Sequence, residues 1–394
     1  ARRQRQMCIR DSVECVGIRE RDGVTMVSAD PIVAATTNTD LPDTGSTVAD
    51  IGEFALIDSV TCQPQHSSTI LGPGDDAAIV SARNSRAVVS TDILIEGEHF
   101  RRDWSDPYSI GRRAIAQNAA DIEAMGAHPT GYVVALAAPR DTPATFITEI
   151  GRGTVAEAHR SGADIVGGDF SAAQHIVISV TALGEIVPPV HMPVLQNTAG
   201  VEEDIAFAGI LGWSAAGLDI LSGTFGQRGG FLRHPLVQRA CELYRCPHPP
   251  YGYGARAAAD GATAMTDVSD GLLVDLQRVI QRSNDTTGAG STMFTADLSY
   301  EKITEIAGES LRELATVCAA YSSHAMEEEQ LLRTWVLSGG EDHGLLAFFP
   351  HNSALPGGFH KIGTTSTAMA ADSAHLISMD GNGISTIEGW ESFA

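Results

Sequence analysis

The chain has 394 residues, 43% of them hydrophobic, so it is long enough for two or three domains with buried cores. Its 26 basic residues stand against 49 acidic ones, and the formal net charge is −23. This balance disfavours nucleic acid as a partner, because phosphate backbones are bound by basic surfaces.

The first half of the chain alternates β-like and helix-like patterns after an irregular start. Residues 1–49 carry scattered charge with little periodicity, so we expect a disordered or extraneous extension, with the folded part beginning near Asp50 and a helical pattern over 54–60. The following apolar runs predict strands at 87–89, 132–138 and 175–182 and helices at 113–125 and 146–160. The first of these strands would deliver Ser90, Thr91 and Asp92 at its end.

Three prolines, Pro188, Pro189 and Pro193, mark the predicted domain boundary. We therefore expect an N-terminal domain over 50–187 and a C-terminal domain over 188–394. In the second half the patterns predict strands at 204–209, 262–265, 335–337 and 345–349, helices beginning at 214 and 272, and a loop at 283–299. Strands and helices alternate in both halves, which predicts an α/β (α+β) fold with two domains.

Several common types of site are disfavoured because their motifs are missing. The chain has only two lysines, Lys302 and Lys361, and no GxxxxGK[ST] loop, so a Walker-type ATP site is excluded. The six cysteines show no CxxC spacing, and Cys241, Cys246 and His248 fit no common zinc site. We expect reduced thiols in a cytoplasmic protein, and no membrane span, since no apolar run approaches the roughly 20 residues that one needs.

Aspartates recur beside glycine or small residues, mostly where apolar strands are predicted to end. They occur in Gly74-Asp75-Asp76, Ser90-Thr91-Asp92, Gly168-Asp169 and Asp267-Val268-Ser269-Asp270-Gly271, and Asp121 follows Asn118 at helical spacing. A single aspartate of this kind is usually a turn or cap residue. If they converge, however, like charges about 4 Å apart cost about 4 kcal/mol at an effective dielectric near 20. Divalent cations would relieve that cost, and oxygen ligands favour Mg²⁺, Mn²⁺ or Ca²⁺ over zinc.

The segments around these aspartates resemble thiamine-monophosphate kinases, in order, from about residue 50 to the end. The matching motifs are GDDAA at 74–78, STDILIEGEHF at 90–100, NAADIEAMGAHP at 118–129, VGGD at 166–169, GWSAAGL at 212–218, VSDGLL at 268–273, SGGEDH at 338–343 and GWESF at 389–393. GDD or GGD alone would be a weak signal, whereas the ordered set is specific.

The resemblance implies the fold shared with aminoimidazole ribonucleotide synthetase. In that fold an N-terminal α/β domain pairs its sheet across a homodimer, and a C-terminal α/β domain closes over the cleft. The resemblance also implies transfer of the γ-phosphoryl group of ATP to thiamine monophosphate by in-line attack, assisted by several Mg²⁺ ions. The attacking phosphate oxygen is already ionised, so we expect no general base, and catalysis would rest on positioning and electrostatics.

Carried over by motif position, the resemblance implies roles for three groups of residues. The expected metal ligands are Asp76, Ser90, Thr91, Asp92, Asp121, Asp169, Asp267 and Asp270. The expected ATP contacts are Gly168, Asp169, Gln196 and Ser269. The expected thiamine monophosphate contacts are His99, Glu341 and Trp390. A cationic thiazolium beside a carboxylate and an aromatic face is physically reasonable.

Two alternatives remain open, and a departure from the family pattern motivates the second of them. Many members have an arginine that contacts ATP where this chain has Gln196, and losing a guanidinium would weaken phosphate contacts. The first alternative is another enzyme of the superfamily, such as aminoimidazole ribonucleotide synthetase or selenide, water dikinase. Cys8 and Cys15 lie in no glycine-rich lead, which argues against the dikinase. The second alternative is a catalytically inactive homologue that binds nucleotide or metal.

Overall fold

The computed structural model describes residues 87–225, 230–286, 293–322, 327–367, 375–387 and 389, with shorter pieces at 19–21, 24–26, 46–47, 50, 69–71 and 79–80. The chain divides into two compact units, Ala1–Asn38 and Thr39–Ala394. In the first unit, β1 (Arg19–Arg21) pairs antiparallel with β2 (Val24–Met26). All elements described below belong to the second unit. The helix predicted over 54–60 lies outside the described residues.

The first half of the second unit is built on a four-stranded sheet in the order β5–β8–β6–β7. Its strands are β5 (Val88–Ile95), β6 (His128–Ala138), β7 (Ile165–Ala172) and β8 (Val177–Glu185). Strand β8 runs antiparallel to both β5 and β6, whereas β7 runs parallel to β6. A short antiparallel pair, β3 (Thr69–Leu71) and β4 (Ile79–Val80), precedes this sheet in the chain.

Two long helices, α1 (Pro107–Ala124) and α2 (Ala144–Ser161), pack closely against each other. Helix α1 begins after Asp106, whose carboxylate accepts a hydrogen bond from the Ser109 backbone N–H at 2.9 Å. Helix α2 ends at Gly162, which adopts the left-handed conformation with φ 85°. The close crossing requires glycine, because a Cβ at Gly111 or Gly153 would lie 2.0 Å from a backbone oxygen of the other helix.

Strand alternation gives the four-stranded sheet one covered and one open face. Leu94 of β5 is buried in the core that the sheet forms with α1 and α2. On the other side, Val89, Ile93 and Val133 are 59%, 46% and 37% exposed. We call the side that carries these three residues the open sheet face. An apolar sheet surface of this kind is typical of an interaction surface.

The second half is built on a seven-stranded sheet in the order β10–β12–β9–β13–β11–β14–β15. Its strands are β9 (Glu203–Ala208), β10 (Ala264–Val268), β11 (Phe294–Leu298), β12 (Gly344–Pro350), β13 (His360–Thr367), β14 (Ile377–Met379) and β15 (Asn382–Gly383). Neighbouring strands are antiparallel except β11 and β14, which are parallel.

Helices cover both faces of this second sheet. They are α3 (Trp213–Leu221), α4 (Pro235–Arg245), α5 (Tyr253–Ala259), α6 (Leu272–Thr286), α7 (Tyr300–Ala307), α8 (Glu309–Tyr321) and α9 (Glu328–Leu337). In β9, Ile205 and Phe207 face the core shared with α3, α4 and α6–α9. Ala206 and Ala208 face a smaller core shared with α5 and the end of α1. The whole strand is therefore buried.

Helix α1 also links the two sheets. It contacts β5 and β8 of the first sheet and β10 and β12 of the second. Most of its residues are buried, including Arg113, Asn118 and Glu123. Polar side chains on α1 can therefore meet groups from both halves of the protein.

The structure confirms the predicted mixed α/β class and corrects several element predictions. Ser90, Thr91 and Asp92 lie in the middle of β5, not at its end, and Asp169 lies within β7. Residues 335–337, predicted as a strand, form the end of α9, because Leu331, Leu332, Trp335 and Val336 are buried with helical spacing. The loop predicted at 283–299 contains the end of α6 and all of β11. Within the described part of the chain, no helix combines the length and apolarity that a membrane crossing requires.

Candidate active site

Three carboxylates from distant segments meet where α1 links the two sheets. Asp92 lies on β5, Asp121 on α1 and Asp267 on β10. Burial, together with the negative charges of Asp267 and Asp92, raises the pKa of Asp121 to about 7. Burial also raises the pKa of Asp92, and the charge of Asp267 adds to that effect. We call Asp92, Asp121 and Asp267 the carboxylate cluster.

Neighbouring polar groups fix two members of the carboxylate cluster. The Ser90 hydroxyl donates to Asp121 Oδ2 at 2.6 Å. The backbone N–H of Asp92 donates to Asn118 Oδ1 at 3.1 Å. Asn118 and Asp121 thus both reach β5 from α1, as their spacing of three residues predicts. The separation of the two carboxylates is consequently set by backbone as well as side-chain contacts.

His343 supplies positive charge beside the carboxylate cluster. Its Nδ1 lies 3.1 Å from Asp267 Oδ2, and its Nε2 lies 3.5 Å from Glu341 Oε2. Burial lowers the pKa of His343, but the hydrogen bonds and charges of Asp267 and Glu341 outweigh burial and raise the pKa to about 10. His343 is therefore protonated at neutral pH and offsets part of the repulsion within the cluster.

The SGGEDH and VSDG segments form one structural unit. The backbone N–H of Glu341 donates to Ser269 O at 2.8 Å, and that of His343 donates to Val268 O at 3.0 Å. A Cβ at Gly340 would lie 2.3 Å from Ser269 O, so only glycine permits this approach. Glu341 and His343 have φ values of 69° and 54°. Left-handed backbone is uncommon at non-glycine residues, and the residues that adopt it tend to cluster at functional sites.

Asp275, in the first turn of α6, organises the turn at 269–271. Its Oδ2 accepts hydrogen bonds from the backbone N–H groups of Ser269 and Asp270 at 3.0 Å and of Gly271 at 3.3 Å. Burial is the main cause that raises the pKa of Asp275 to about 7. Arg278 forms ion pairs with both Asp270 and Asp275. Asp275 therefore holds the backbone that presents Ser269 and Asp270.

A cavity of about 470 Å³ adjoins this unit. Its walls come from both halves of the protein. His99 and Trp104 follow β5, Arg113 belongs to α1, Asp219 belongs to α3, and Glu341 precedes β12. The lining combines cationic, anionic and aromatic side chains, as expected for a ligand that is itself both charged and aromatic.

Glu341 connects the cavity to the carboxylate cluster. Its Oε2 lies 2.8 Å from Arg113 Nη2 and also contacts His343. Burial raises the pKa of Glu341, but the charges of Arg113 and His343 outweigh burial and lower the pKa to about 2. Arg113 Nη1 donates to Tyr244 O at 2.8 Å, and its guanidinium lies 4.6 Å from the Tyr244 ring centroid. A continuous chain of charged groups thus runs from Arg113 through Glu341 and His343 to Asp267.

His99 also lies within range of this charged chain. Its Nδ1 accepts a hydrogen bond from the Ile95 backbone N–H at 3.1 Å, which leaves Nε2 available to a ligand. The electrostatic interaction with His99 is the smallest of the causes that lower the pKa of Glu341. Two of the three residues expected to contact thiamine monophosphate, His99 and Glu341, therefore line one cavity.

Three of the expected residues lie away from the carboxylate cluster. The Thr91 hydroxyl donates to Val180 O at 2.9 Å and lies on the opposite face of β5 from Asp92. Gly168 and Asp169 lie on β7, separated from β5 by β6 and β8. That separation is about 14 Å at about 4.8 Å per strand. Asp169 is exposed. The strand register aligns it across the sheet with Ile93, so it lies on the open sheet face.

Asp76 and Trp390 lie outside the described residues. Among the residues that are described, no group of three or more His, Cys, Asp or Glu side chains is arranged to hold a metal ion by itself. The structure thus brings Asp92, Asp121 and Asp267 together, with Ser90 bonded to Asp121. It places Ser269 and Asp270 in the turn that follows β10, and it leaves Thr91, Gly168 and Asp169 apart.

Gln196 is held beside an arginine from another segment. Its Nε2 donates to Thr266 Oγ1 at 2.9 Å, and its Oε1 accepts from Arg282 Nη1 at 2.5 Å. Thr266 immediately precedes Asp267 in β10. A guanidinium from α6 therefore contacts the side chain that stands at the sequence position of the family's arginine.

Sequence reasoning did not assign roles to Arg113, Asp219, Asp275, Arg282 or His343. Asp275 carried a usable signal, because it is a carboxylate among the buried apolar positions Leu272, Leu276 and Val279 of α6. The Arg282–Gln196 contact joins positions 86 residues apart, so no local sequence pattern could have predicted it.

The fold is built of two sheets with their helices, which meet along α1 beside the carboxylate cluster. This architecture agrees with the class of protein that a family model identifies. Residues 74–186 match the family model described as AIR synthase related protein, N-terminal domain. The structure is similar to that of AaThiL complexed with AMPPCP and TMP, with a TM-score of 0.63, 25% identity, and coverage of 88% of this chain and 99% of that one.

Sequence comparison narrows the class to one family. The chain is 41% identical over 348 residues to thiamine-monophosphate kinase of Mycobacterium tuberculosis (strain ATCC 25618 / H37Rv), covering 88% of this chain and 93% of the relative. It is 37% identical over 352 residues to thiamine-monophosphate kinase of Corynebacterium glutamicum, covering 89% and 96%. The chain belongs to the thiamine-monophosphate kinase family, which confirms the resemblance seen in the motifs.

Replacing Asp121 with asparagine should stabilise the metal-free protein at alkaline pH. The folded-state pKa of about 7 lies above the ordinary value of 3.8, so ionisation of Asp121 costs stability. That cost is absent below about pH 4 and complete above about pH 7. We expect Asp121→Asn to raise the free energy of unfolding by about 1–3 kcal/mol at pH 8 in EDTA, with little change at pH 4.

Chemical denaturation at both pH values measures this difference. The matched control is Asp260→Asn, which neutralises an exposed aspartate at the end of α5. A destabilised Asp121→Asn protein at pH 8 would mean that the carboxylate cluster is not electrostatically strained.

Proposed function

We propose that this protein transfers the γ-phosphoryl group of ATP to the phosphate of thiamine monophosphate, giving thiamine diphosphate and ADP. An oxygen of the acceptor phosphate forms the new bond to the γ-phosphorus, and the bond from that phosphorus to the β–γ bridging oxygen breaks. The observation that carries this proposal is the continuous contact of the cavity with the carboxylate cluster through Glu341 and His343. The similarity to thiamine-monophosphate kinases supports the choice of substrates.

The carboxylate cluster suits Mg²⁺. Its donors are oxygens only, and burial with mutual repulsion raises the pKa values of Asp92 and Asp121, so a bound cation would relieve a cost already present. Mg²⁺ is commonly bound through one or two carboxylates together with phosphate oxygens and waters. Asp92, Asp121, Asp267 and Asp270 would hold the ions, with Asp76 and Ser90 as further expected ligands. When bound, Mg²⁺ neutralises phosphate charge and polarises phosphoryl oxygens.

The residues of this chain would act mainly by positioning. Arg113 and His99 present N–H donors to an anionic group in the cavity, and Glu341 Oε1 remains for the cationic thiazolium. Trp390 is expected to complete that pocket. No side chain is needed to remove a proton, because the acceptor phosphate is ionised at neutral pH. The cavity would hold the acceptor oxygen in line with the γ-phosphate.

The nucleotide would contact Gly168, Ser269 and the Gln196–Arg282 pair. Arg282 is exposed and reaches Gln196 from α6, one helical turn beyond Arg278. Two guanidinium groups then lie along one edge of the site, where they can pair with phosphate oxygens. This arrangement supports an active kinase over an inactive homologue.

The open sheet face supports the expected homodimer. Val89, Ile93 and Val133 are exposed apolar residues on one flat surface, and self-association of two such faces would bury them. Asp169 lies in the same register row and would then face the partner. The proposed boundary between domains at 187/188 falls between β8 and β9. The buried thiols of Cys241, Cys246 and Cys318 are unbridged, which supports a cytoplasmic location.

Purified protein should produce ADP only when ATP, thiamine monophosphate and Mg²⁺ are all present. Asp92→Asn should lower kcat by more than about 100-fold, because it removes charge that would hold the metal while keeping the side-chain size. A coupled ADP assay measures both effects, and circular dichroism checks the fold. Wild-type protein that binds ATP but forms no ADP would support the inactive-homologue alternative.

Replacing Arg282 with glutamine should raise the KM for ATP about 10-fold with little change in the KM for thiamine monophosphate, since one guanidinium–phosphate contact is lost. Arg312→Gln is the matched control, because Arg312 forms an exposed ion pair with Glu329 on α8 and α9. Equal KM values for ATP in wild type and Arg282→Gln would remove Arg282 from the nucleotide site.

Light scattering of the purified protein should give twice the chain mass. Val133→Glu should shift the protein toward the monomer, because it places a charge on the open sheet face. Val201→Glu is the control, since Val201 is 42% exposed outside that face. A monomeric wild type, or a Val133→Glu variant that stays dimeric, would rule out this surface as the interface.

A further inference from the structure

Asp219 occupies a distinctive place in the cavity wall. It lies on α3, and its Oδ2 accepts a hydrogen bond from Trp335 Nε1 at 2.7 Å. Trp335 is itself 1% exposed and packs edge-on against Phe225, so the indole is held firmly by the core. The carboxylate is thereby fixed in orientation by a buried donor.

The second oxygen of Asp219 has a different environment. Within the described residues, Asp219 forms no ion pair, and its Oδ1 has no hydrogen-bond donor. The neighbouring cavity residues on α3 are Ala215 and Leu218, which are apolar. Burial raises the pKa of Asp219. A half-buried carboxylate held at one oxygen and unsatisfied at the other favours a ligand that brings an N–H donor.

The position of Asp219 along α3 separates it from the charged end of the cavity. The Ser214 hydroxyl donates to Glu341 O at 2.8 Å, and Asp219 follows five residues later. Five residues of helix span about 7.5 Å. Along α3, Asp219 is therefore offset by about this length from the residue that contacts Glu341. That length suits two aromatic rings joined by a methylene group.

We propose that Asp219 determines substrate specificity by accepting a hydrogen bond from the exocyclic amino group of the substrate's aminopyrimidine ring. This inference rests on the proposed function, because thiamine monophosphate supplies both the aminopyrimidine at one end and the thiazolium and phosphate at the other. Asp219 touches no reacting atom. Its contribution is to select the heterocycle and to fix the ring that sets the position of the phosphate.

The test compares two substrates with the wild type and Asp219→Asn. The second substrate is the 4-oxo analogue of thiamine monophosphate, which presents a carbonyl where the natural substrate has the amine. Asparagine can still accept from Trp335 Nε1 through its oxygen, but it then presents an NH₂ group to the ligand. We expect the wild type to prefer the amino substrate in kcat/KM by at least about 10-fold. Asp219→Asn should lower kcat/KM for that substrate by about 10- to 100-fold and reduce or reverse the preference.

The KM for ATP and the activity of the control Asp285→Asn, which alters an exposed aspartate on α6, should both stay unchanged. If Asp219 only orients Trp335, both substrates lose activity equally, and an unchanged preference overturns the inference. If Asp219→Asn does not fold, the comparison of the two substrates with the wild type is still a test. Equal kcat/KM values for the amino and 4-oxo substrates would overturn the inference. Wild-type protein that phosphorylates neither substrate would overturn the proposed function as well, so the two failures are distinguishable.

Discussion

Mutual repulsion among buried carboxylates is the constraint around which this structure is arranged. Asp92, Asp121 and Asp267 come from a strand, a helix and a second strand, and burial and their own charges raise the pKa values of two of them. The fold does not relax this strain by separating them. It fixes Asp121 through Ser90, fixes Asp92 through Asn118, and places protonated His343 against Asp267. A site that keeps such a cost in the folded state is typical of one that is completed by cations.

Helix α1 connects the carboxylate cluster to both halves of the fold. Because α1 contacts strands of both sheets, Asp121 and Arg113 serve two different sites from one helix. Asp121 joins the carboxylate cluster, and Arg113, just over two helical turns earlier, pairs with Glu341 at the cavity. The left-handed residues Glu341 and His343 complete the connection. In the proposed reaction, substrate recognition and charge neutralisation would thus be coupled through a few rigid side chains, as phosphoryl transfer by positioning requires.

The sequence predicted the α/β class, helices α1, α2, α3 and α6, and the shared helix face of Asn118 and Asp121, because these depend on local periodicity. It did not predict α4, α5, α7, α8 or α9. It misassigned residues 335–337, since a Trp-Val-Leu triplet is too short to distinguish a strand from a buried helix end. It also placed Thr91 and Asp169 with Asp92, although strand alternation and two intervening strands separate them. The contacts Arg113–Glu341, Asp275 to the 269–271 turn and Arg282–Gln196 depend on tertiary packing, which a single sequence does not contain.

The central claim is that the carboxylate cluster binds divalent cations together with the nucleotide. Crystals grown with Mn²⁺ and a non-hydrolysable ATP analogue test it directly, because Mn²⁺ shares the oxygen ligands of Mg²⁺ and scatters anomalously. We expect an anomalous peak within coordination distance of carboxylate oxygens of Asp92, Asp121 or Asp267, adjoining the analogue's phosphates. Bound analogue with manganese peaks only elsewhere, and none at these three carboxylates, would contradict it.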